Sequence, residues 1–128
     1  MVEQVTSGIK ISVETQFEGT FYRDYKLYYS FAYRVTITNQ SEDMVQLDSR
    51  AWTILDALNT TEYVSGEGVI GKQPIITPGE SHSYNSGCML LSPIGAMKGH
   101  YNMTNFSTNK TFKVKIPIFK LNALYVLN

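Results

Sequence analysis

Charge of one sign is the first thing this sequence lacks: its 11 basic and 11 acidic residues cancel. A neutral chain has no long-range field to draw it onto nucleic acid or an anionic membrane, so neither is an expected partner. Cysteine is nearly absent too. Cys88 stands alone, which excludes an intrachain disulfide and a cysteine-rich zinc site. No apolar run approaches the roughly 18 residues that a membrane-spanning helix needs. The opening residues 1–6, Met-Val-Glu-Gln-Val-Thr, have neither a basic stretch nor an apolar one, so no signal peptide is read there and a cytoplasmic protein is expected. Sequons at Asn39, Asn59, Asn102, Asn105 and Asn109 then carry no glycan and reflect a composition rich in Asn and Thr. Apolar repeats of helical spacing are also missing, so little helix is expected.

What the chain does have is alternation and aromatic bulk, with nine Tyr and six Phe in 128 residues. That length fits one domain, residues 1–128, able to bury a core without metal or disulfide. In residues 27–39, Leu27, Tyr29, Phe31, Tyr33, Val35 and Ile37 share one face, while Tyr28, Ser30, Ala32, Arg34, Thr36 and Thr38 share the other. Period-two alternation in β-branched and aromatic residues predicts a strand with one buried face. A polar turn at residues 39–43 leads to a second predicted strand over 44–56. There Val45, Leu47, Ala51 and Leu55 alternate with Gln46, Asp48, Arg50 and Trp52. In the segment 113–119, Phe112, Val114, Ile116 and Ile118 point one way. Pro117 lacks a donor N–H, which predicts an edge strand or a break in the ladder. Ile9, Ile11 and Val13 predict an N-terminal strand, and weaker strands are read at 61–65, 80–88 and 97–103. About seven short strands separated by turns predict an all-β, two-sheet sandwich of immunoglobulin or fibronectin type III kind. Residues 69–79 read as an irregular loop, and the apolar end, with Leu121, Leu124, Tyr125, Val126 and Leu127, reads as a tail that docks on the sheet or on a partner.

Catalytic constellations are absent from the pattern. Ser81 and the adjacent His82 would point to opposite faces of a strand, and Ser86 and Cys88 are nucleophiles by residue type only. No two of His82, His100 and Cys88 have a zinc-ligand spacing. No metal, cofactor or catalytic residue is therefore assigned, and no enzyme is read. Lys110, Lys113, Lys115 and Lys120 read as protection of an edge strand rather than a nucleic-acid patch. The aromatic group Phe21, Tyr22, Tyr25, Tyr28 and Tyr29 must expose about half its members if Tyr29 faces the core, and exposed tyrosines can anchor a partner.

The sharpest local motif is Gly66-Glu67-Gly68-Val69-Ile70-Gly71, which matches the dinucleotide fingerprint G-x-G-x-x-G. With Lys72 it nearly reads as a phosphate loop, but Gln73 replaces the magnesium-binding Ser or Thr. Pro74 and Pro78 also forbid the helix that such loops open. Gly66, Glu67, Gly68, Gly71, Lys72 and Gln73 are therefore the candidate binding residues of a structural and recognition loop, with nucleotide or pyrophosphate binding as the alternative.

Several motifs in fixed order carry a resemblance. Ser49-Arg50-Ala51-Trp52-Thr53-Ile54 is followed by the glycine loop through Pro74, by Pro78-Gly79-Glu80 and by Tyr84-Asn85-Ser86-Gly87-Cys88. Gly95-Ala96-Met97-Lys98-Gly99-His100-Tyr101 and Ile116-Pro117-Ile118-Phe119 complete the series. In this order they resemble the ApaG family over nearly the whole chain. The resemblance implies a fibronectin type III-like sandwich, an association with cobalt resistance and magnesium efflux, and no enzyme activity. It also implies similarity to interaction modules of eukaryotic F-box proteins and of a DNA-polymerase-interacting protein. The sequence departs from the family pattern at Ala51, where His often precedes Trp52, so no ligand role is carried to that position. The expected function is recognition of an unknown protein or small-ligand partner, with a soluble divalent-cation-binding regulator as a further alternative.

Overall fold

The computed structural model describes residues 1–123. Nine strands follow in chain order: β1 (Val2–Thr6), β2 (Ile9–Arg23), β3 (Lys26–Asn39), β4 (Val45–Asp56), β5 (Glu62–Glu67), β6 (Ile75–Ile76), β7 (Ser81–Leu90), β8 (Ile94–Asn105) and β9 (Lys110–Asn122). No helix occurs among the described residues. One sheet has the order β1-β2-β3-β7 and the other β5-β4-β8-β9, with β6 paired to the start of β4. All pairings are antiparallel. The two sheets close on each other as a sandwich, as the alternation predicts. The strands outnumber the expected seven because Val2–Thr6 forms a hairpin with β2 and two residues of the 69–79 stretch form β6. The hairpin turn between β1 and β2 is Ser7-Gly8, both at positive φ, the backbone that matches the twist of paired strands.

The core is built by the inward positions of both sheets. Ile9, Ile11, Val35, Ile37, Leu47, Tyr101, Met103, Val114 and Ile116 are essentially inaccessible. Trp52 packs among Tyr33 (ring centroids 5.6 Å apart), Phe119 (5.9 Å) and Tyr101 (6.5 Å). Phe31 and Tyr33 are buried as expected, and Phe112 is half-buried. The hydroxyls of Tyr84 and Tyr101 bond to one another inside the sandwich, which satisfies two phenols that water cannot reach.

Three bulges interrupt the ladders, and two of them correct the expected facing of side chains. In β4 the register runs from Leu47↔Met103 to Ser49↔Asn102, so Asp48 is an extra residue without a ladder partner. The extra residue reverses the parity of the rest of the strand. Trp52 therefore joins Val45 and Leu47 inside, while Ala51 and Leu55 leave the buried set. In β9 the register runs from Gly99↔Ile116 to Met97↔Phe119, placing Pro117 and Ile118 opposite Lys98 alone. Ile118 is consequently 56% exposed and Phe119 takes its place in the core. Pro117 thus sits at a ladder break and on an edge strand, both outcomes that its missing N–H predicts. In β2 the third bulge, at Glu18, precedes Gly19 at φ 109°, and a hairpin arm continues to an Asp24-Tyr25 turn. Tyr22 and Tyr25 are exposed on this arm, whereas Phe21 and Tyr28 stack with centroids 5.4 Å apart.

Asn39, one of the sequon residues, is fully buried, and its Nδ2 donates to the carbonyls of Asp43 and Ile76. Leu121 ends buried within β9; Leu124, Tyr125, Val126 and Leu127 lie outside the described residues.

Candidate functional site

The unpaired residue of the β4 bulge is what fixes the glycine loop. Because Asp48 is skipped by the ladder, its carbonyl is free, and it accepts from Gly68 N–H (2.9 Å) and from Gln73 Nε2 (2.9 Å). Its carboxylate is held in turn by Thr104 Oγ1 at 2.6 Å. Gln46 Nε2 donates to Gln73 O (3.0 Å), and Leu47 N–H to Pro74 O (3.0 Å). The loop is therefore strapped along the first residues of β4 by four bonds to Gln46, Leu47 and Asp48.

Within the loop, Val69 N–H donates to Lys72 O (2.7 Å) and Lys72 N–H to Val69 O (3.1 Å). This closes a two-residue hairpin whose apex, Ile70-Gly71, has φ of 48° and 73°. Two consecutive positive φ values are the pattern of a type I′ turn. The expected irregular stretch is thus an ordered miniature hairpin. Its glycines answer different demands. Gly66 lies opposite Arg50 in the β4–β5 ladder, and a Cβ there would come within 3.0 Å of the guanidinium nitrogens. Gly68, at φ 59°, would put a Cβ 1.9 Å from Lys72 O. Gly71 meets nothing within 4 Å and is required only by its φ of 73°.

Arg50 shares the inward parity of Trp52 and reaches under the loop, where its Nη1 donates to Glu67 O (2.9 Å) and Gly68 O (2.8 Å). No carboxylate lies within ion-pair reach of it among the described residues, where Lys10–Glu3 is the ion pair that forms. Backbone carbonyls thus satisfy a half-buried guanidinium, and the cation pins the loop from below. Val69 is buried, while Glu67, Ile70 and Lys72 are exposed, as is Gln73, whose amide folds back onto the Asp48 carbonyl.

Every candidate residue read from the sequence therefore falls in one contiguous feature. The sequence reasoning missed Arg50, Asp48, Gln46, Thr104 and the exposed apex Ile70. Ser49 in the apolar phase of β4 and Trp52 in its polar phase are the break in alternation that could have flagged the bulge, and Arg50 two residues before Trp52 would then have followed. The loop's chemistry is that of a hairpin. The amides of Gly68, Val69 and Lys72 are consumed by carbonyls of the chain, and Pro74 follows where a helix would have to begin. A phosphate cradle needs such amides turned outward at a helix N-terminus.

The remaining chemically capable side chains do not converge. Ser81 Oγ is bonded to Thr38 Oγ1 (2.9 Å) across the β3–β7 ladder. Cys88 is buried, and desolvation pushes its thiol up to about 11, away from the thiolate that a nucleophile needs. His82 stands on β7 and His100 on β8, in different sheets. Burial, and secondarily the Lys72 charge, lower the imidazole pKa of His82. Among the described residues no group of three or more His, Cys, Asp or Glu is placed to hold a metal ion. No helix among them is long and apolar enough to cross a membrane.

A two-sheet β-sandwich carrying a glycine hairpin strapped to a bulged strand is the class of protein these features define. The ApaG domain family matches residues 20–105. Protein ApaG of Methylorubrum extorquens (strain PA1) is 42% identical over 123 residues, covering 96% of this chain and 94% of that one. Protein ApaG of Brucella abortus (strain S19) is 41% identical over 123 residues with the same coverage. Among solved structures, an X-ray structure of a Northeast Structural Genomics Consortium target superposes with a TM-score of 0.87 at 33% identity, covering 94% of this chain and 90% of that one. The Bordetella pertussis protein described as ApaA superposes with a TM-score of 0.80 at 35% identity, covering 91% and 94%. The chain belongs to the ApaG family.

Proposed function

We propose that this chain is a non-enzymatic recognition domain that presents the 66–73 hairpin to a protein partner. The observation that carries this reading is Ile70. It is a β-branched residue at φ 48°, a conformation that such side chains strongly disfavour, and it is 62% exposed at the apex of a loop held by multiple bonds. Strain of this kind persists where the surroundings over-determine it, and it clusters at binding sites. An apolar apex flanked by Glu67 and Lys72 is the arrangement of an anchor with a polar rim. Rigidity adds to this, because a preformed loop loses little entropy on association.

The protein reading is preferred to nucleotide binding because the amides of Gly68, Val69 and Lys72 are already engaged and no helix follows the loop. It is preferred to direct cation binding because the histidines and carboxylates are dispersed. The association with cobalt resistance and magnesium efflux is then regulatory, exerted by one cytoplasmic domain through its partner. The sandwich is read as fibronectin type III-like, a scaffold whose end loops commonly carry recognition.

A photo-crosslinking residue placed at position 70 in cells tests the reading. A discrete protein adduct is expected from position 70 and not from position 26, an exposed site on the other sheet. With the adduct's protein purified, Ile70→Asp should weaken binding at least tenfold, about 1.4 kcal/mol. Equal crosslinking from both positions, or unchanged affinity in the variant, refutes it.

A further inference from the structure

The outer face of the β5-β4-β8-β9 sheet carries a second feature, distinct from the hairpin. A groove of about 580 Å³ opens over β8 and β9, within the size range of small-molecule sites. Lys98 and His100 of β8 and Lys113 and Lys115 of β9 line it, and no Asp or Glu does. Its shape has two causes. The β9 bulge turns Ile118 outward beside the lysines. The end of β1 overhangs the β9 edge, with Lys115 N–H directed at Thr6 Oγ1 at 3.4 Å, and forms a wall.

Edge protection accounts for Lys113 and Lys115, which lie on the terminal strand of the sheet. It does not account for Lys98. That residue is on β8, flanked by β4 and β9, where it stands opposite Thr53 on one side and the Pro117–Ile118 bulge on the other. His100 pairs directly with Lys115 across the ladder. Three ammonium groups and an imidazole thus share one concave face of a chain with no net charge, and none of them is in an ion pair among the described residues. Like charges gathered on one sheet face repel one another, so the arrangement lacks a counter-charge.

We propose that this groove binds a phosphorylated small molecule, the ammonium groups of Lys98, Lys113 and Lys115 taking the phosphoryl oxygens and Ile118 packing against the ligand's apolar body. Lysine is a point-charge donor suited to tetrahedral phosphate oxygens. Arginine's planar fork fits carboxylate and phosphate alike; none lines the groove, so an anion is met there by point charges alone, which favour the ligand of highest charge density.

The test is a ¹H–¹⁵N chemical-shift titration of the intact chain with tripolyphosphate, orthophosphate and citrate. Tripolyphosphate is expected to give saturable shifts centred on Lys98, His100 and Lys115, with at least tenfold tighter binding than citrate, weakening as salt rises. Lys98→Gln and Lys115→Gln, both exposed and thus compatible with folding, should each weaken it at least fivefold. Lys26→Gln removes the same charge from the other sheet and should leave affinity within twofold. The proposal is overturned if the shifts do not saturate, if they centre on residues 66–73, or if citrate matches tripolyphosphate. An equal effect of Lys26→Gln, or tighter binding of a short oligodeoxynucleotide, overturns it as well.

Discussion

Replacing Gly68 with Ala separates a backbone demand from a steric one, because the same loop supplies its own control. Gly68 and Gly71 both have φ in the left-handed region, 59° and 73°. Placing an L-residue there costs about 1–2 kcal/mol, of which the loss of unfolded-chain entropy returns about 0.4–1 kcal/mol. For Gly71→Ala that is the whole effect, since nothing lies within 4 Å of the added Cβ. A destabilisation of about 1 kcal/mol is expected. For Gly68→Ala the Cβ would lie 1.9 Å from Lys72 O and 2.7 Å from Lys72 C, so the hairpin must open. Opening gives up the Val69–Lys72 bond pair, two hydrogen bonds at about 1 kcal/mol each, and brings the total to about 3 kcal/mol. With a urea m-value of about 2 kcal/mol/M, the midpoint should fall by about 1.5 M for Gly68→Ala and about 0.5 M for Gly71→Ala. Lys72→Ala, whose side chain is exposed and whose backbone is untouched, should stay within about 0.5 kcal/mol. Urea unfolding followed by Trp52 fluorescence measures all three. A Gly68→Ala variant no less stable than Gly71→Ala would refute the steric account of this loop.

Trp52→Ala should cost about 3–5 kcal/mol, because the indole fills space between Tyr33, Tyr101 and Phe119; a loss under about 1 kcal/mol in chemical denaturation would contradict its placement. Tyr84→Phe should destabilise by about 1–3 kcal/mol by orphaning the fully buried Tyr101 hydroxyl, and adding Tyr101→Phe should recover part of that loss in a double-mutant cycle. Burial raises the pKa of Cys88 from 9.0 to about 11 and also raises those of Tyr33, Tyr84 and Tyr101 above 10.0. Groups raised by folding contribute stability that is complete below their unfolded pKa values and is lost as pH climbs toward the folded ones. The urea midpoint should therefore hold up to about pH 9 and decline beyond it, and a flat profile to pH 11 would count against these burials. Native Cys88 should likewise resist a thiol reagent at pH 8 and react on unfolding.

The alternation in β3, with Phe31, Tyr33, Val35 and Ile37 on one face, determined a strand with one buried face by itself, because a period of two is local, and about seven such segments separated by turns pointed to the sandwich. Turn chemistry was equally legible: Pro74 and Pro78 exclude a helix after the glycines whatever the rest of the chain does. Family membership was legible too, since it rests on motif order rather than on contacts. Tertiary structure alone decided parity beyond each bulge. Whether Trp52 or Ala51 faces the core depends on Asp48 being skipped by β8, where Met103 and Asn102 pair to either side of it, and the broken alternation of β4 does not itself say which residue its neighbour skips. The same bulge decided the site, by freeing the Asp48 carbonyl that holds Gly68 and Gln73 and by turning Arg50 under the loop. The lysine groove is of this kind as well. Lys98 and Lys115 stand on successive strands, and they share the groove because β8 and β9 pair with a bulge at Pro117, a geometry fixed by the ladder as a whole.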